Sequence, residues 1–390
     1  MALTSAENET LTRVGPGTPG GEMLRRYWHP IAFATELKGR PKRRRILGED
    51  VILFRDEHSR LGLLGLHCLH RGTSLEFGHI ENGGLRCCYH GWLYDVEGRV
   101  LEQPGEPSES SFKERLRQRV YKVQELAGII FAYLGPDPAP LLPRYDVLVR
   151  EDGVRSLSAR LVHCNYLQMV ENSVDQHHFK WLHRTPKTRH WKEEKLTSEV
   201  TDFGIRDTFT RRVGDEYFRT ISLFLMPNMN KVGYHLAEEH PAAFAATHEG
   251  YEALRWRVPV DDTATMHFTL YFAPRVAGNV PAKMPEDRQS EGLGDSIPGK
   301  YRWDEETGWI ARGDQDRCAQ ESQGPVLDRT TEHLGVSDEG VILLRRLFKQ
   351  CIDAVKNGQD PLGVIRDPAK NEIIRLVPGE YKLDHAESVK

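Results

Sequence analysis

The sequence lacks any apolar segment long enough to cross a membrane. A spanning helix needs about 20 consecutive apolar residues, but the best run here, Leu126–Leu134, stops at Gly135-Pro136. The first residues, MALTSAENET, do not show the basic and then apolar pattern of a secretory signal. These absences favour a soluble, cytoplasmic protein that binds no membrane.

The chain also lacks a charge excess and has few cysteines. Its 390 residues carry a formal net charge of −4, which argues against a nucleic-acid-binding protein. Six cysteines without a signal peptide do not make a disulfide framework, and three of them lie close to histidines, which favours metal ligation. Hydrophobic residues make up 39% and charged residues 28%, which are ordinary values for folded domains.

The first third of the chain reads as short strands separated by turns. The turn signals are Asn82-Gly83-Gly84, Glu97-Gly98 and Gly135-Pro136. The predicted strands are Val51–Phe54, Leu61–Leu66, Leu85–Cys88, Trp92–Tyr94 and Gly128–Leu134. This pattern predicts a small all-β domain.

A proline-rich stretch marks a domain boundary. Pro136–Pro143 contains four prolines, which break helices and strands alike. We predict one domain over residues 25–143 and a second over residues 144–390, with residues 1–24 packed on the second.

The second domain is predicted to be α+β, with helices packed on a sheet. Cys164–His183 looks helical, and a second helix is expected from an N-cap at Ser337 to a point near Gly358. The apolar stripe of that helix is Val341, Leu344, Phe348, Cys351, Ile352 and Val355. Longer strands are predicted at Glu199–Arg212, Glu216–Met226, Ala253–Val260 and Thr265–Phe272, with a hairpin signal at Gly214-Asp215.

Two short motifs each combine cysteine with histidine. A Cys-x-His motif begins at Cys68, and sixteen residues after it ends a Cys-x-x-His motif begins at Cys87. Two thiolates on one iron and two imidazoles on the other are the ligand set of a Rieske [2Fe–2S] cluster. The predicted ligands are Cys68, His70, Cys87 and His90.

Two alternatives apply to this motif. Cys88 with His90 would also read as Cys-x-His, but we prefer Cys87 because Rieske loops have unequal spacing, and we expect Cys88 to be a buried neighbour. The same ligand count would also suit a Cys₂His₂ zinc site, which predicts a colourless protein.

A second group of candidate ligands lies in the segment after Cys164. Asp175 and His178 are three residues apart and would share one face of a helix. His178 and His183 are five apart, which separates them by about 140° around a helix. For both histidines to bind one metal, the helix must end or distort between them.

Two imidazoles and one carboxylate form the facial triad of non-haem Fe(II) oxygenases. Our candidate carboxylate is Asp316, with Asp314 and Glu321 as rivals. The alternative is that these histidines are satisfied by hydrogen bonds in a core or on a surface. The redox motif upstream favours the iron.

These two groups of candidate ligands, in this order, resemble those of the α subunit of the Rieske-type non-haem iron oxygenases. The family motif Glu/Asp-Asn-x-x-Asp-x-x-His-x-x-x-x-His is met from Glu171 to His183. Gly21–Pro30, Pro259–Thr263 and Gln315–Gly335 are similar to the phthalate dioxygenase-like branch in particular. The resemblance covers most of the chain.

The resemblance implies an N-terminal all-β Rieske domain followed by an α+β helix-grip catalytic domain with an antiparallel sheet. It also implies one Rieske [2Fe–2S] cluster and one mononuclear Fe(II) per chain, with Asp316 as the third iron ligand. NADH would supply electrons through a flavin/iron–sulfur reductase or a ferredoxin, O₂ would be the co-substrate, and the protein would be a homotrimer.

The resemblance further assigns residue roles. Asp175 would bridge His90 of one subunit and His178 of its neighbour and so carry electrons; the alternative is that Asp175 only orients His178 within one subunit. Arg206 and Asn172 are the predicted substrate contacts. Arg255 and Arg257 are alternatives to Arg206, since a buried substrate carboxylate needs a cationic partner.

The predicted function is that of a terminal oxygenase that hydroxylates or O-demethylates an aromatic, carboxylated or methoxylated compound. The alternatives are a non-catalytic iron–sulfur electron carrier and a zinc-stabilised ligand-binding protein. A basic run that includes Lys38, Arg40 and residues 42–45 is read either as a solvated loop or as a docking patch for an acidic electron donor.

Overall fold

The chain divides between two units of structure. The computed structural model describes residues 2–183, 191–232, 252–275 and 299–383. One unit, here called the β unit, is Arg25–Leu142, and the other, the α+β unit, comprises Met1–Leu24 and Pro143–Lys390. No helix among the described residues is long and apolar enough to cross a membrane.

The β unit contains ten strands in three small antiparallel sheets, ordered β1-β10-β9, β2-β3-β4 and β5-β6-β7-β8. The first five strands are β1 Trp28–Phe33, β2 Lys42–Ile46, β3 Glu49–Arg55, β4 Leu61–Gly65 and β5 His79–Glu81. The others are β6 Gly84–Arg86, β7 Leu93–Tyr94, β8 Val100–Glu102, β9 Lys122–Leu126 and β10 Ile129–Tyr133. The predicted all-β domain is therefore confirmed.

Alternating side chains of these strands form one core, which also holds two of the candidate ligands. Phe54 and Tyr94 are fully buried, and Cys68 and Cys87 lie in the same cluster at 3% exposure. The sheet core thus fixes the cysteine ends of both Cys–His loops.

The basic run is a strand rather than a solvated loop over Lys42–Ile46, so that interpretation was wrong there. Arg45 contacts Asp50 at 2.7 Å, and Arg44 contacts Glu36. These carboxylates balance part of the charge, and β3 supplies the backbone partners of the strand. The docking role of the run stays a prediction.

The α+β unit is built on an eight-stranded antiparallel sheet ordered β11-β17-β16-β15-β14-β13-β12, with β20 also paired to β14. Its strands are β11 Gly153–Val162, β12 Trp191–Thr201, β13 Gly204–Val213, β14 Glu216–Leu225, β15 Met229–Val232, β16 Glu252–Asp261, β17 Ala264–Pro274 and β20 Gly379–Leu383. The short strands β18 Trp303–Asp304 and β19 Trp309–Ile310 pair with each other.

The described helices of this unit are α1 Ser5–Thr12, α2 Pro19–Leu24, α3 Asp146–Val149, α4 Tyr166–Ser173, α5 His178–Trp181, α6 Gln315–Glu321 and α7 Glu339–Lys356. All six residues of the predicted apolar stripe on α7 are buried. The Tyr166 ring on α4 stacks near the Phe348 ring on α7, at 6.3 Å. The N-cap of α7 is Asp338, one residue after the predicted Ser337.

Two strand predictions have different outcomes. Gly214-Asp215 does join β13 to β14, since Val213 and Glu216 are register partners. Glu199–Arg212, however, is not one strand, because the chain turns at Asp202-Phe203 between β12 and β13.

The N-terminal segment packs within the α+β unit. Arg13 contacts Asp262 at 2.8 Å. The Asn165 side chain donates to the Thr12 carbonyl at 2.8 Å, and the Tyr166 hydroxyl donates to the Leu11 carbonyl at 2.9 Å. These bonds hold α1 against the start of α4.

Candidate metal centres

The two Cys–His motifs form a matched pair of loops in the β unit. The Cys68 N–H donates to the Thr73 carbonyl, and the Gly72 N–H donates back to the Cys68 carbonyl, both at 2.9 Å. The second loop repeats this pattern, with Cys87 donating to Trp92 at 2.8 Å and Gly91 donating to Cys87 at 3.1 Å. Gly72 and Gly91 close the loops with φ of +74° and +73°, a backbone conformation that favours glycine.

Each loop buries its cysteine and exposes its histidine. Cys68 and Cys87 are 3% exposed, whereas His70 and His90 lie at the surface with ring centroids 4.4 Å apart. The His70 ring stacks on Trp92, at 4.8 Å and 8°. Paired thiols below paired imidazoles suit a cluster with one buried and one outer metal.

The sulfur atoms also have hydrogen-bond donors. Burial raises the pKa of the Cys87 thiol, as does nearby Cys68, while the backbone N–H groups of Tyr89 and His90 lower it; the net shift is upward. The Tyr94 hydroxyl lies 3.0 Å from the Cys68 sulfur. Such donors stabilise charge on cluster sulfurs. The expectation that Cys88 is buried was wrong: Cys88 is exposed.

The second centre begins at a break between two helices. α4 ends at Ser173, and α5 begins at His178. Within the break, the Asp175 carboxylate accepts the His177 N–H at 2.9 Å, a local bond that competes with continuation of a helix. The prediction of one helix from Cys164 to His183 was therefore wrong. The requirement that the helix end between His178 and His183 is met by the end of α5 at Trp181.

His178, His183 and Asp316 lie together, with their potential ligand atoms all within 4.8 Å of one another. Asp316 Oδ1 is 3.1 Å from His183 Nε2 and 3.8 Å from His178 Nε2. Asp316 Oδ1 is nevertheless buried without a hydrogen-bond partner in the described part of the chain. Three donor atoms facing one space in this way fit a two-histidine, one-carboxylate iron site.

The rival carboxylates have other partners. Asp314 accepts from Arg302 at 2.9 Å, and Glu321 accepts the His163 N–H at 3.0 Å and the Tyr301 hydroxyl at 3.1 Å. Neither belongs to the group formed by the two histidines and Asp316.

The charges within this group support ligation at neutral pH. Burial raises the pKa of Asp316, but contact with His183 and the charges of His178 and Arg255 outweigh burial and hold this pKa at about 2. Burial likewise raises the pKa of Asp175, yet its interaction with His178 brings the net shift below the ordinary value. The side chains of Asp316 and Asp175 are therefore both ionised at neutral pH.

Gln315 is a site residue that the sequence did not predict. Its Oε1 lies 2.8 Å from His183 Nδ1, and its own Nε2 donates to the Ile310 carbonyl at 2.9 Å. The glutamine therefore holds the proton on Nδ1 and leaves Nε2 free to face Asp316. Its place next to Asp316 was the only signal in the sequence.

Asp175 and His178 are also neighbours in space. Asp175 Oδ2 is 3.5 Å from His178 Nδ1, the ring nitrogen that does not face Asp316. A carboxylate on this side orients a ligating imidazole, so orientation of His178 within one chain is compatible with the geometry.

The predicted substrate contacts have different surroundings. Arg206 has a 49% exposed side chain, 3.1 Å from Glu199, so this position does not support pairing with a buried carboxylate. Asn172 is half-buried on α4, and its role as a substrate contact stays a prediction. Of the alternatives, Arg257 is buried at 5% exposure and Arg255 is half-buried.

Together, the loops and the grouped ligands define a protein with a Cys₂His₂ centre in one unit and a His₂-carboxylate centre in the other. Residues 27–122 match the family model of the Rieske [2Fe-2S] domain. The chain is 34% identical to 5,5'-dehydrodivanillate O-demethylase oxygenase subunit of a Sphingobium species, over 96% of this chain and 86% of the relative. It is 30% identical to phthalate 4,5-dioxygenase oxygenase subunit of Pseudomonas putida, over 93% and 89%.

The fold has solved counterparts. The oxygenase in a carbazole-bound complex with ferredoxin, from carbazole 1,9a-dioxygenase, superposes with a TM-score of 0.61 at 20% identity, over 93% of this chain and 96% of that chain. The protein belongs to the Rieske non-haem iron oxygenases, as an oxygenase component of the phthalate dioxygenase-like branch. It is thus an oxidoreductase, and the alternatives of an electron carrier or a zinc-stabilised module are not supported.

Proposed function

We propose that this protein uses O₂ and NADH-derived electrons to hydroxylate or O-demethylate an aromatic compound that carries a carboxylate or methoxy group. The observation that carries the proposal is the group of His178, His183 and Asp316 in the same chain as a Rieske domain. The relatives named for phthalate and for O-demethylation support an aromatic substrate.

We assign the two centres to different residues. Cys68, His70, Cys87 and His90 would hold the [2Fe–2S] cluster, and His178, His183 and Asp316 would hold one Fe(II). When bound, these groups would supply single electrons and a site for activating O₂. We accordingly assign cluster binding to residues 25–143 and catalysis to residues 144–390, with residues 1–24 as a segment of the catalytic part.

The chain's own residues would prepare the iron site. Gln315 keeps the proton of His183 on Nδ1, so that Nε2 is a lone-pair donor. Asp175 Oδ2, 3.5 Å from His178 Nδ1, would orient that ring with its Nε2 toward the metal. Asp316, held as a carboxylate, supplies the negative charge that a divalent cation needs.

We also propose that Asp175 links two copies of the chain in a homotrimer, by accepting from His178 of its own subunit and from His90 of a neighbour. Exposed aromatic rings close in sequence to His90 and to His178 support a contact surface between subunits: Tyr89 is 57% and Trp181 is 70% exposed. A ferredoxin or a flavin/iron–sulfur reductase would deliver the electrons, and the ferredoxin bound to the carbazole oxygenase supports the first of these. A cytoplasmic location stays a prediction.

The bridging role is tested by replacing Asp175 with Asn, which keeps the shape and removes the charge. We expect full metal content and a normal cluster spectrum, but loss of product in a single turnover started from reduced cluster, because the second imidazole loses its acceptor. Normal turnover of an iron-replete variant would contradict the bridge. Asp215→Asn, on an exposed turn, is the matched control.

The reaction itself is tested by a substrate screen. Metal-loaded protein with NADH and a competent reductase is offered aromatic acids and methoxylated aromatics, while O₂ uptake, hydroxylated product and formaldehyde are measured. We expect at least one compound to stimulate uptake with product formed in proportion. If no aromatic compound stimulates uptake by iron-replete protein, the proposed function is wrong.

A further inference from the structure

The short hairpin formed by β18 and β19 leads directly into α6. Trp303 and Ile310 are register partners in this hairpin. At its base the Ala311 N–H donates to the Arg302 carbonyl at 2.8 Å, and the Arg302 guanidinium donates to Asp314 at 2.9 Å. Because Asp314 immediately precedes α6, these bonds hold the hairpin to the start of that helix.

Two hydrogen-bond routes lead from β19 to the neighbourhood of His183. The indole Nε1–H of Trp309 donates to the Leu182 carbonyl at 3.1 Å. Gln315 Nε2 donates to the Ile310 carbonyl at 2.9 Å, and Gln315 Oε1 lies 2.8 Å from His183 Nδ1. The first route holds the backbone next to His183, and the second holds its ring.

The Trp309 bond meets α5 where that helix ends. α5 is a single turn of four residues that ends at Trp181. Carbonyl groups at the end of a helix lack partners within it, and a helix this short has few hydrogen bonds of its own. The Leu182 N–H still donates to the His178 carbonyl at 2.7 Å. The indole on the Leu182 carbonyl therefore fixes the chain at the point where it leaves α5.

The hairpin joins two parts of the chain that are distant in sequence. Trp309 and Leu182 are 127 residues apart, and Gln315 and His183 are 132 apart. Asp316 follows Gln315 directly, so one short stretch of chain both contacts the turn with His183 and supplies the carboxylate of the site. Groups that hold metal ligands in place raise the affinity of a site, because less ordering is needed when the metal binds.

We propose that Trp309 is a positioning residue of the mononuclear metal site, and that it acts through the Leu182 carbonyl to set where His183 lies relative to Asp316. Trp309 acts on the backbone and Gln315 acts on the ring, so the two supports are separate. The inference rests on the proposed function, because it takes the grouped ligands to hold Fe(II).

The hairpin offers a matched control for this role. Trp309 is half-buried, whereas Trp303 on the paired strand is 66% exposed. Trp309→Phe removes the indole N–H and keeps an aromatic ring, and Trp303→Phe makes the same chemical change at the exposed ring. Site-specific replacement of the Trp309 indole by benzothiophene, its isostere, removes the N–H and keeps the shape.

The test measures Fe(II) binding and needs no turnover. Full-length protein with an intact [2Fe–2S] cluster is stripped of its mononuclear metal and titrated with Fe(II) against a competing chelator, in the absence of O₂. The EPR spectrum of the nitric oxide adduct then reports the ligand geometry at the reloaded iron. The visible spectrum of the cluster and the unfolding temperature are recorded for each variant as checks on folding.

We expect Trp309→Phe to weaken Fe(II) binding about tenfold and to broaden the EPR spectrum, because His183 can then occupy more than one position. Trp303→Phe should match wild type in both measurements. If Trp309→Phe does not fold, the benzothiophene isostere replaces it with the same expectation.

Three results would overturn the inference: an Fe(II) affinity and EPR spectrum unchanged by loss of the indole N–H, an equal loss of affinity in Trp303→Phe, or a lower unfolding temperature as the only effect at Trp309. Failure of the proposed function is distinguishable. In that case Fe(II) binding and its dependence on Trp309 would persist, while the aromatic screen would show no coupled O₂ uptake.

Discussion

At the residue scale, the candidate metal ligands could be predicted from the sequence, but the residues that hydrogen-bond to them could not. Metal ligation needs particular side chains within short loops, so residue type and spacing were enough to select the Cys–His motifs and the pair His178 and His183. Asp316 lies far along the chain, where residue type alone left Asp314 and Glu321 as rivals, and the family resemblance favoured it. Gln315 was missed because a hydrogen bond to His183 gives it its place, and that bond leaves no spacing pattern.

The contact of Gln315 with His183 gives a first prediction. Gln315→Leu removes the acceptor at Nδ1, so the imidazole can protonate the wrong nitrogen and the site should lose about tenfold in metal affinity. The measurement is competition with a chelator, followed by metal analysis of the retained mononuclear site. Gln323→Leu, an exposed change in the turn after the same helix, should have no effect; equal affinity in both variants would show that Gln315 is not a support.

Asp207 gives a second prediction, about pH. It is 1% exposed and accepts the Ser198 hydroxyl at 2.6 Å, and burial raises its pKa to about 7. Between the ordinary value of 3.8 and about 7, the native state holds a proton that the unfolded state has lost. The free energy of unfolding should therefore fall as pH rises through this window, by about 1.4 kcal/mol per pH unit at most.

Asp207→Asn removes that titration and keeps an acceptor for Ser198. Its stability relative to wild type, measured by urea unfolding, should improve steadily from pH 5 to pH 7. The exposed change Asp215→Asn is the control and should show no such trend. A pH-independent difference between Asp207→Asn and wild type would mean that Asp207 is ionised throughout.

At the scale of elements, periodicity predicted α7 but not the break between α4 and α5. The stripe on α7 repeats over an 18-residue helix, long enough for the helical period to be distinct. The break contains no glycine or proline, and within it the His177 N–H donates to the Asp175 carboxylate. Sequence alone gave only the geometric argument that His178 and His183 cannot share one helix face.

Gly340 on α7 tests how closely these elements are packed. A Cβ at this position would lie 2.3 Å from the Val174 carbonyl oxygen, at the end of α4. Gly340→Ala should therefore destabilise the fold by about 1–3 kcal/mol, through overpacking, although alanine is the better helix former. Thermal unfolding measures this loss.

Gly335→Ala is the matched control for that change. Its nearest neighbour to an added Cβ is at 3.8 Å, an ordinary contact, so stability should change by less than about 0.5 kcal/mol. If Gly340→Ala were as stable as Gly335→Ala, α4 and α7 would be less tightly packed than described.

At the scale of the whole molecule, local signals gave the fold class, and long-range pairing had to come from the structure. Turn residues and strand patterns predicted the small β domain, and the mixture of patterns predicted α+β beyond it. The sheet order, however, places β11 beside β17 and β20 beside β14. Such pairings join residues that are distant in sequence, so no local pattern predicts them.

The central claim is that one chain holds a Rieske cluster and a separate mononuclear iron. Iron analysis with a visible spectrum, on wild type and Asp316→Ala, tests it most directly. We predict about three irons per chain in wild type, and about two with an unchanged red-brown cluster spectrum in Asp316→Ala. A colourless, zinc-containing wild type, or an Asp316→Ala variant that keeps the third iron, would contradict the claim.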